Sequence, residues 1–123
     1  MIRGTLIAES LRPNHAFQRI PLRLRKLERV GPLPGLTPGQ PDVWTFIEFT
    51  ADEDIADELA DSLAACLDDE LGWYCDFRTD SETFVVFAAM IFRYRRGDAA
   101  GRAQAAAYAR QVGLPERQID WPD

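Results

Sequence analysis

The sequence predicts an α+β fold in which one antiparallel sheet carries two helices packed on one face. Residues 43–49 are rich in β-branched and aromatic side chains, which favour strands. Apolar side chains then recur at helical spacing over residues 55–67. Strand and helix patterns continue to alternate along the rest of the chain. With 123 residues, 46% of them hydrophobic, the chain is long enough to build one core of its own.

The order of elements after residue 42 predicts the topology of this core. Thr50 and Glu53 match a capping box, in which each side chain satisfies a free backbone N–H at the start of a helix. Residues 83–94 are almost wholly apolar, so both faces of this segment should be covered and the chain should bend or reverse near 88–90. The predicted elements are a strand at 43–49, a helix that starts after Thr50 and stops at Gly72, a strand at 73–78, the apolar segment at 83–94, a helix at 98–112 and a short strand at 118–121. This order, β-α-β-β-α-β, is similar to the ferredoxin-like pattern, which hosts many unrelated functions.

Two stretches that precede this core also alternate as strands. Residues 2–11 and 18–25 flank the turn-forming segment 12–15, which contains Pro and Asn, and together they predict an N-terminal β-hairpin that extends the sheet. Residues 31–42 hold four Pro and three Gly, which exclude a regular element. We therefore predict a single domain over 1–123, with the hairpin in 1–30, a Pro/Gly-rich connection in 31–42 and the core in 43–123.

Composition excludes several classes of protein without identifying one. The proportions of apolar and charged residues exclude a collagen-like or disordered chain, and no stretch reaches the roughly 20 apolar residues of a membrane-spanning helix. The net charge of −6 argues against a nucleic-acid partner, because phosphate contacts require positive charge. With no signal-peptide pattern and only two cysteines, Cys66 and Cys75, we expect a cytoplasmic protein with buried thiols. The strong preference for Arg over Lys is typical of a bacterial protein from a GC-rich genome.

Strand alternation places aromatic and charged side chains together on the face of the sheet that two helices on the other face would leave open. Such a patch usually marks an interface or a ligand groove, and Trp, Tyr and Arg dominate binding energies. We therefore expect a small ligand or a second copy of the chain on this face, with a homodimer as the predicted state. The alternative is that residues 1–30 cover the face within the monomer. The predicted ligand or interface residues are Trp44, Phe46, Glu48, Tyr74, Asp76 and Arg78.

The middle of the chain is strongly acidic, and its charge concentrates on the first helix. Residues 42–82 hold fourteen acids and one base, whereas residues 1–30 hold seven bases and two acids. Like charges four residues apart on a helix repel, and a basic partner would relieve them. That partner could be the arginines of residues 19–25, a second subunit or a foreign basic protein; the alternative is a solvated face, and a metal site is disfavoured because no His joins the carboxylates. The predicted acidic partner surface is Glu53, Asp54, Asp57, Glu58 and Asp61.

A possible anion site lies before the second helix, where arginines lead through a glycine into the helix N-terminus. Free N–H groups and the helix dipole favour an anion there, although the carboxylate of Asp98 could cap the same groups. The residues of this site are Arg93, Arg95, Arg96 and Gly97. Acid–base chemistry is a separate possibility, because Glu9, Glu48 and Asp76 all lie on predicted strands. The single histidine, His15, lies in a turn and gives no support to a Ser-His-Asp or multi-His metal site.

These observations favour a non-catalytic binding module, without a cofactor or a metal, that acts through the aromatic face of the sheet. Two alternatives stay open at this point. One is an acidic inhibitor or immunity-type protein that captures a basic partner through the first helix. The other is a small enzyme that uses the carboxylates of the sheet, Glu48 or Asp76.

Overall fold

The computed structural model describes all residues from Met1 to Asp123. Neither of its helices has the length and apolar character that a membrane crossing requires. Short 3-10 turns at Ala8–Ser10, Glu53–Ile55 and Glu116–Gln118 connect the regular elements. The strands and helices are β1 (Ile2–Ile7), β2 (Arg23–Val30), β3 (Trp44–Ala51), α1 (Ala56–Cys66), β4 (Cys75–Arg78), β5 (Glu82–Phe87), β6 (Met90–Arg95) and α2 (Ala99–Gln111).

The six strands form one antiparallel sheet in the order β2-β3-β1-β4-β5-β6. β1 lies in the middle, where Thr5 is paired with Glu48 of β3 on one side and with Asp76 of β4 on the other. Since both neighbours run antiparallel to β1, β3 and β4 are parallel to each other, and α1 makes the crossover between them. The predicted N-terminal hairpin is wrong, because β3 lies between β1 and β2.

The second half of the sheet is a meander whose outer strands form a tight hairpin. The apolar segment 83–94 reverses at Ala88 and Ala89, and Phe87 pairs with Met90 across the turn. The predicted strand at 118–121 is absent, since this region forms a 3-10 turn followed by an irregular segment. The segment 83–94 therefore forms two strands, β5 and β6, and no strand follows α2. The predicted ferredoxin-like order is not confirmed.

The two helices lie on opposite faces of the sheet, which corrects the prediction that both pack on one face. Leu59 and Leu63 of α1 belong to a core cluster with Phe84 and Val86 of β5. The alanines of α2, in contrast, pack with Val85. Val85 lies between Phe84 and Val86 in β5, so its side chain points to the opposite face of the sheet. We call these the α1 face and the α2 face. The apolar side chains on both sides of β5 are explained by this arrangement.

The α1 face is also covered by the chain that links β1 to β2. Phe17, Ile20 and Leu22 pack against the α1 cluster. The alternative prediction, that residues 1–30 cover the face of Trp44 and Tyr74, is therefore wrong for this linking segment, which packs on the α1 face. At the centre of the cluster, the rings of Phe77 and Phe84 stack with their centroids 4.6 Å apart. Gly4 leaves room for this packing, because a Cβ there would lie 2.7 Å from the Cβ of Phe77.

Asp98 caps α2, and its removal gives a measurable prediction. Its carboxylate accepts hydrogen bonds from the backbone N–H groups of Ala100 (3.1 Å) and Gly101 (3.2 Å). We expect Asp98→Ala to lower the free energy of unfolding by about 1 kcal/mol in urea denaturation. Asp54→Ala is the control, because Asp54 is an exposed carboxylate in the 3-10 turn before α1 that makes no capping hydrogen bond and no salt bridge. Equal losses in the two variants would contradict the capping role of Asp98.

Candidate functional site

A groove of about 700 Å³ runs along the α2 face, over the strands that α2 does not cover. Its floor comes from four neighbouring strands, whose alternation turns every second side chain toward it. Because Thr5 pairs with both Glu48 and Asp76, these two carboxylates flank it in one row, about 10 Å apart at two strand spacings. The floor residues are Thr5, Ile7, Lys26, Glu28, Val30, Trp44, Phe46, Glu48, Tyr74 and Asp76.

Two irregular segments form the walls of the groove. One is residues 33–36 of the Pro/Gly-rich connection, and the other is the C-terminal segment that supplies Arg117, Gln118 and Asp120. Nε of Arg117 donates a 2.8 Å hydrogen bond to the carbonyl of Gly35, which joins the two walls. Sequence reasoning missed both walls, because irregular backbone has no hydrophobic period from which its position could be predicted.

Four aromatic side chains line one end of the groove: Trp44, Phe46, Trp73 and Tyr74. Trp44 is held from two sides, since its Nε1 donates to the carbonyl of Pro41 (2.7 Å) and its ring meets Trp73 edge-on with centroids 5.1 Å apart. The rings of Trp44 and Phe46 have centroids 6.2 Å apart. The aromatic end is therefore oriented before any ligand arrives, which reduces the entropy cost of binding.

The groove carries more negative than positive charge. Four carboxylates line it, against the two cations Lys26 and Arg117. Nζ of Lys26 lies 3.3 Å from Oε1 of Glu28 and 3.9 Å from Oε2 of Glu48, so it compensates those two carboxylates. No salt bridge reaches the other two, Asp76 and Asp120, because Arg117 is directed toward the Gly35 carbonyl.

Asp76 is the least compensated carboxylate of the groove. Burial on the floor of the groove raises its pKa from the ordinary 3.8 to about 6, and the nearby charge of Asp120 adds to the rise, whereas Arg78 opposes it. An ionised carboxylate that is largely removed from water and has no ion pair destabilises the fold. Asp76 is therefore held at a position where its ionised form lacks a counterion.

Tyr74 connects the floor of the groove to its C-terminal wall. Its hydroxyl lies within hydrogen-bond distance of two acceptors, the Gln118 carbonyl and Oδ1 of Asp120 at 2.8 Å. Burial raises the pKa of Tyr74, and the adjacent Asp120 raises it further, so the hydroxyl stays protonated and donates. Tyr74 therefore fixes the position of Asp120 beside the groove.

The structure separates some of the residues that the sequence grouped together. Arg78 is half-buried on the α2 face but does not line the groove, since it lies one row beyond Asp76. Glu9 lies in a 3-10 turn rather than on a strand, and its carboxylate accepts hydrogen bonds from the backbone N–H (2.6 Å) and hydroxyl (2.8 Å) of Thr45. Burial opposes ionisation of Glu9, but these hydrogen bonds outweigh it and lower its pKa. Glu9 therefore has a structural partner and lies away from Glu48 and Asp76.

The predicted acidic partner surface lies on α1 and on the 3-10 turn that precedes it, on the opposite side of the sheet from the groove. Two of its predicted partner residues already have counterions within the chain. Oε2 of Glu53 accepts from the N-terminal amine (2.6 Å) instead of closing a capping box, because Thr50 lies inside β3. Asp57 is 2.7 Å from Nη1 of Arg93. The remaining three are exposed and form no salt bridge: Asp54, Glu58 and Asp61.

The four residues proposed as an anion site do not converge on the N-terminus of α2. Arg93 binds both carboxylate oxygens of Glu82, at 2.6 and 2.7 Å, in addition to Asp57. Gly97 supplies the positive φ of the turn into α2, and the carboxylate of Asp98 occupies the first free N–H groups of the helix. Arg95 and Arg96 are exposed.

No family model, no curated protein and no solved structure matches this chain. The groove on the α2 face thus has to be interpreted from its own chemistry. It combines a preorganised aromatic end, two walls joined by a hydrogen bond, and two carboxylates, Asp76 and Asp120, that form no salt bridge. Cys66 and Cys75 are free thiols that lie outside the groove, and both are buried, as the sequence predicted.

Proposed function

We propose that this protein is a non-catalytic binding module that takes a small ligand in the groove of the α2 face. The observation that carries the proposal is the groove itself, whose volume of about 700 Å³ lies within the range typical of small-molecule sites. Aromatic side chains at one end would supply contact area, and charged side chains on the floor would orient the ligand. Trp44, Phe46, Glu48, Tyr74 and Asp76 are the residues expected to contact it.

The wall residues support a ligand rather than a flat partner surface. Residues 33–36 line the groove together with Arg117, Gln118 and Asp120, and the hydrogen bond from Arg117 to Gly35 joins the two segments. A second copy of the chain would have to displace these segments before its own sheet could pack face to face. Light scattering tests the predicted homodimer directly: a monomer at high concentration leaves the groove to a ligand, whereas a dimer that Trp44→Ala dissociates assigns this face to self-association.

A fragment screen tests the proposal. We expect fragments that bind the labelled protein to shift the backbone NMR signals of groove residues, and Trp44→Ala to weaken their binding by about tenfold because it removes a large, partly exposed ring of the aromatic end. Leu27→Ala is the control, since Leu27 is also apolar, is 61% exposed and lies on the opposite face. Fragments whose shifts scatter over the surface, or that respond equally to both variants, would contradict the proposal.

A second candidate function is proton-transfer catalysis by Asp76. The observation that favours it is the position of Asp76 on the floor of the groove without a salt bridge; burial and Asp120 raise its pKa to about 6, and groups that exchange protons near neutral pH serve as acids or bases. Fragments that bind the groove can be incubated with the protein in D₂O and followed by mass spectrometry, because proton transfer at carbon then leaves deuterium in the ligand. Conversion that Asp76→Asn abolishes would support an enzyme, and ligands recovered unchanged would support the binding module.

A further inference from the structure

We propose that the ligand of the groove is an organic cation, an amine or guanidinium carried on a flat apolar body. This inference rests on the proposed function, since it assigns a chemical class to the ligand of the same groove. The cationic group would lie beside Asp76 and Asp120, and the apolar body would lie against Trp44, Phe46 and Trp73 of the aromatic end.

The distribution of charge favours a cation over other ligands. Within the chain, Lys26 compensates Glu28 and Glu48, whereas Asp76 and Asp120 have no base within salt-bridge distance. A bound cation would supply the missing counterion in a partly desolvated site, where such an interaction is stronger than on the open surface. An anion would face four carboxylates, and a neutral ligand would remove water from Asp76 without replacing it.

The aromatic rings favour a ligand with a flat apolar body. Aromatic side chains bury much apolar area and stack on a planar group in offset or edge-to-face contact. Trp44 is fixed by its hydrogen bond to Pro41 and by its edge contact with Trp73. A planar apolar group would therefore meet preorganised surfaces while its charged end reaches the carboxylates across Tyr74, whose hydroxyl holds Asp120 in place.

Three probes that share one body and differ in charge test this inference. They are tryptamine (cation), tryptophol (neutral) and indole-3-propionate (anion), each titrated at millimolar concentration and followed by NMR shifts of the groove residues. We expect tryptamine to bind about tenfold more tightly than tryptophol, because it gains a charge-assisted hydrogen bond, and indole-3-propionate to bind most weakly. As the pH falls and Asp76 is protonated, the advantage of tryptamine over tryptophol should shrink.

Variants separate this inference from the proposed function. Asp76→Asn and Asp120→Asn should each lower the affinity for tryptamine more than the affinity for tryptophol, so that the two affinities converge. Trp44→Ala should weaken both probes, and Asp61→Asn on the exposed side of α1 should weaken neither. Binding in the groove that ignores charge would overturn the organic cation and leave the binding module standing. If tryptamine shifts no NMR signals of groove residues, or only those of the carboxylates of α1, the inference is overturned. The fragment screen tests the binding module independently of this result.

The pH dependence has to be assigned among all the groups that face Asp76. Asp120 approaches from the C-terminal segment and raises its pKa, and Arg78 on the same strand lowers it. Glu48 and Lys26 lie in the same row of the sheet beyond Thr5. A loss of affinity at low pH that persists in Asp76→Asn would assign the effect to one of these other groups and overturn the role of Asp76. The groups to be compared are Asp120, Arg78, Glu48, Lys26, Tyr74 and Tyr94.

Discussion

Replacing Trp121 with alanine is expected to lower the free energy of unfolding by about 3–5 kcal/mol, the usual cost of removing a large buried aromatic side chain. Trp121 is 2% exposed and belongs to the core cluster between the sheet and α2. Its ring meets Tyr74 edge-on with centroids 5.1 Å apart. The guanidinium of Arg102 lies 5.9 Å from the ring centroid, and its Nε donates to the Trp121 carbonyl at 3.0 Å.

The same substitution should also disturb the groove. Trp121 follows Asp120 directly, and its ring packs against α2 and Tyr74, so its removal should loosen the C-terminal wall. Urea denaturation followed by circular dichroism measures the stability. Trp44→Ala is the matched control, because it makes the same chemical change at a half-buried position and should cost less. A loss below about 1 kcal/mol for Trp121→Ala would contradict the tight packing of the C-terminal segment.

Asp76→Asn should stabilise the protein at neutral and alkaline pH. The pKa of Asp76 is about 6 in the folded chain because of burial and Asp120, against an ordinary value of 3.8. The folded state therefore binds this proton more tightly than the unfolded state, and the free energy of unfolding falls as pH rises from about 4 to about 6. Asparagine does not titrate, so the variant should gain about 2–3 kcal/mol at about pH 8 and almost nothing below about pH 4.

Denaturation of both proteins at the two pH values measures this difference. Asp61→Asn, which removes an exposed carboxylate from α1, serves as the control for a general loss of negative charge. A stabilisation of equal size at acidic and alkaline pH would contradict the assignment, because it would not come from titration of Asp76.

Local sequence patterns predicted most elements but not the way they assemble. The strand at 43–49 and the helix at 98–112 have strong local signals, namely β-branched side chains in the first and an Asp cap in the second, and both are present. The pairing of β1 could not be predicted, since its alternation fits a hairpin with β2 as well as the central position between β3 and β4. Pairing partners are chosen by tertiary packing, which local periodicity does not encode.

The candidate site shows the same division. Alternation is a local property, and it correctly grouped Trp44, Phe46 and Glu48 on one face, with Asp76 beside them in the register. Alternation did not predict that the helices lie on opposite faces of the sheet. The apolar side chains on both faces of β5 did indicate that each face of this strand is covered. The two walls carry no period, so only the structure reveals that Arg117 meets Gly35.

The most direct test of a cation-binding groove is the pKa of Asp76 itself, measured by NMR of its carboxyl carbon with and without saturating tryptamine. Without a ligand we expect Asp76 to titrate near pH 6, because of its burial and the charge of Asp120. If the ionised carboxylate binds the cation about tenfold more tightly than the protonated acid does, linkage requires tryptamine to lower this pKa by about one unit. Tryptophol should not lower it. An Asp76 pKa that tryptamine leaves unchanged, or that tryptophol lowers equally, would contradict the account.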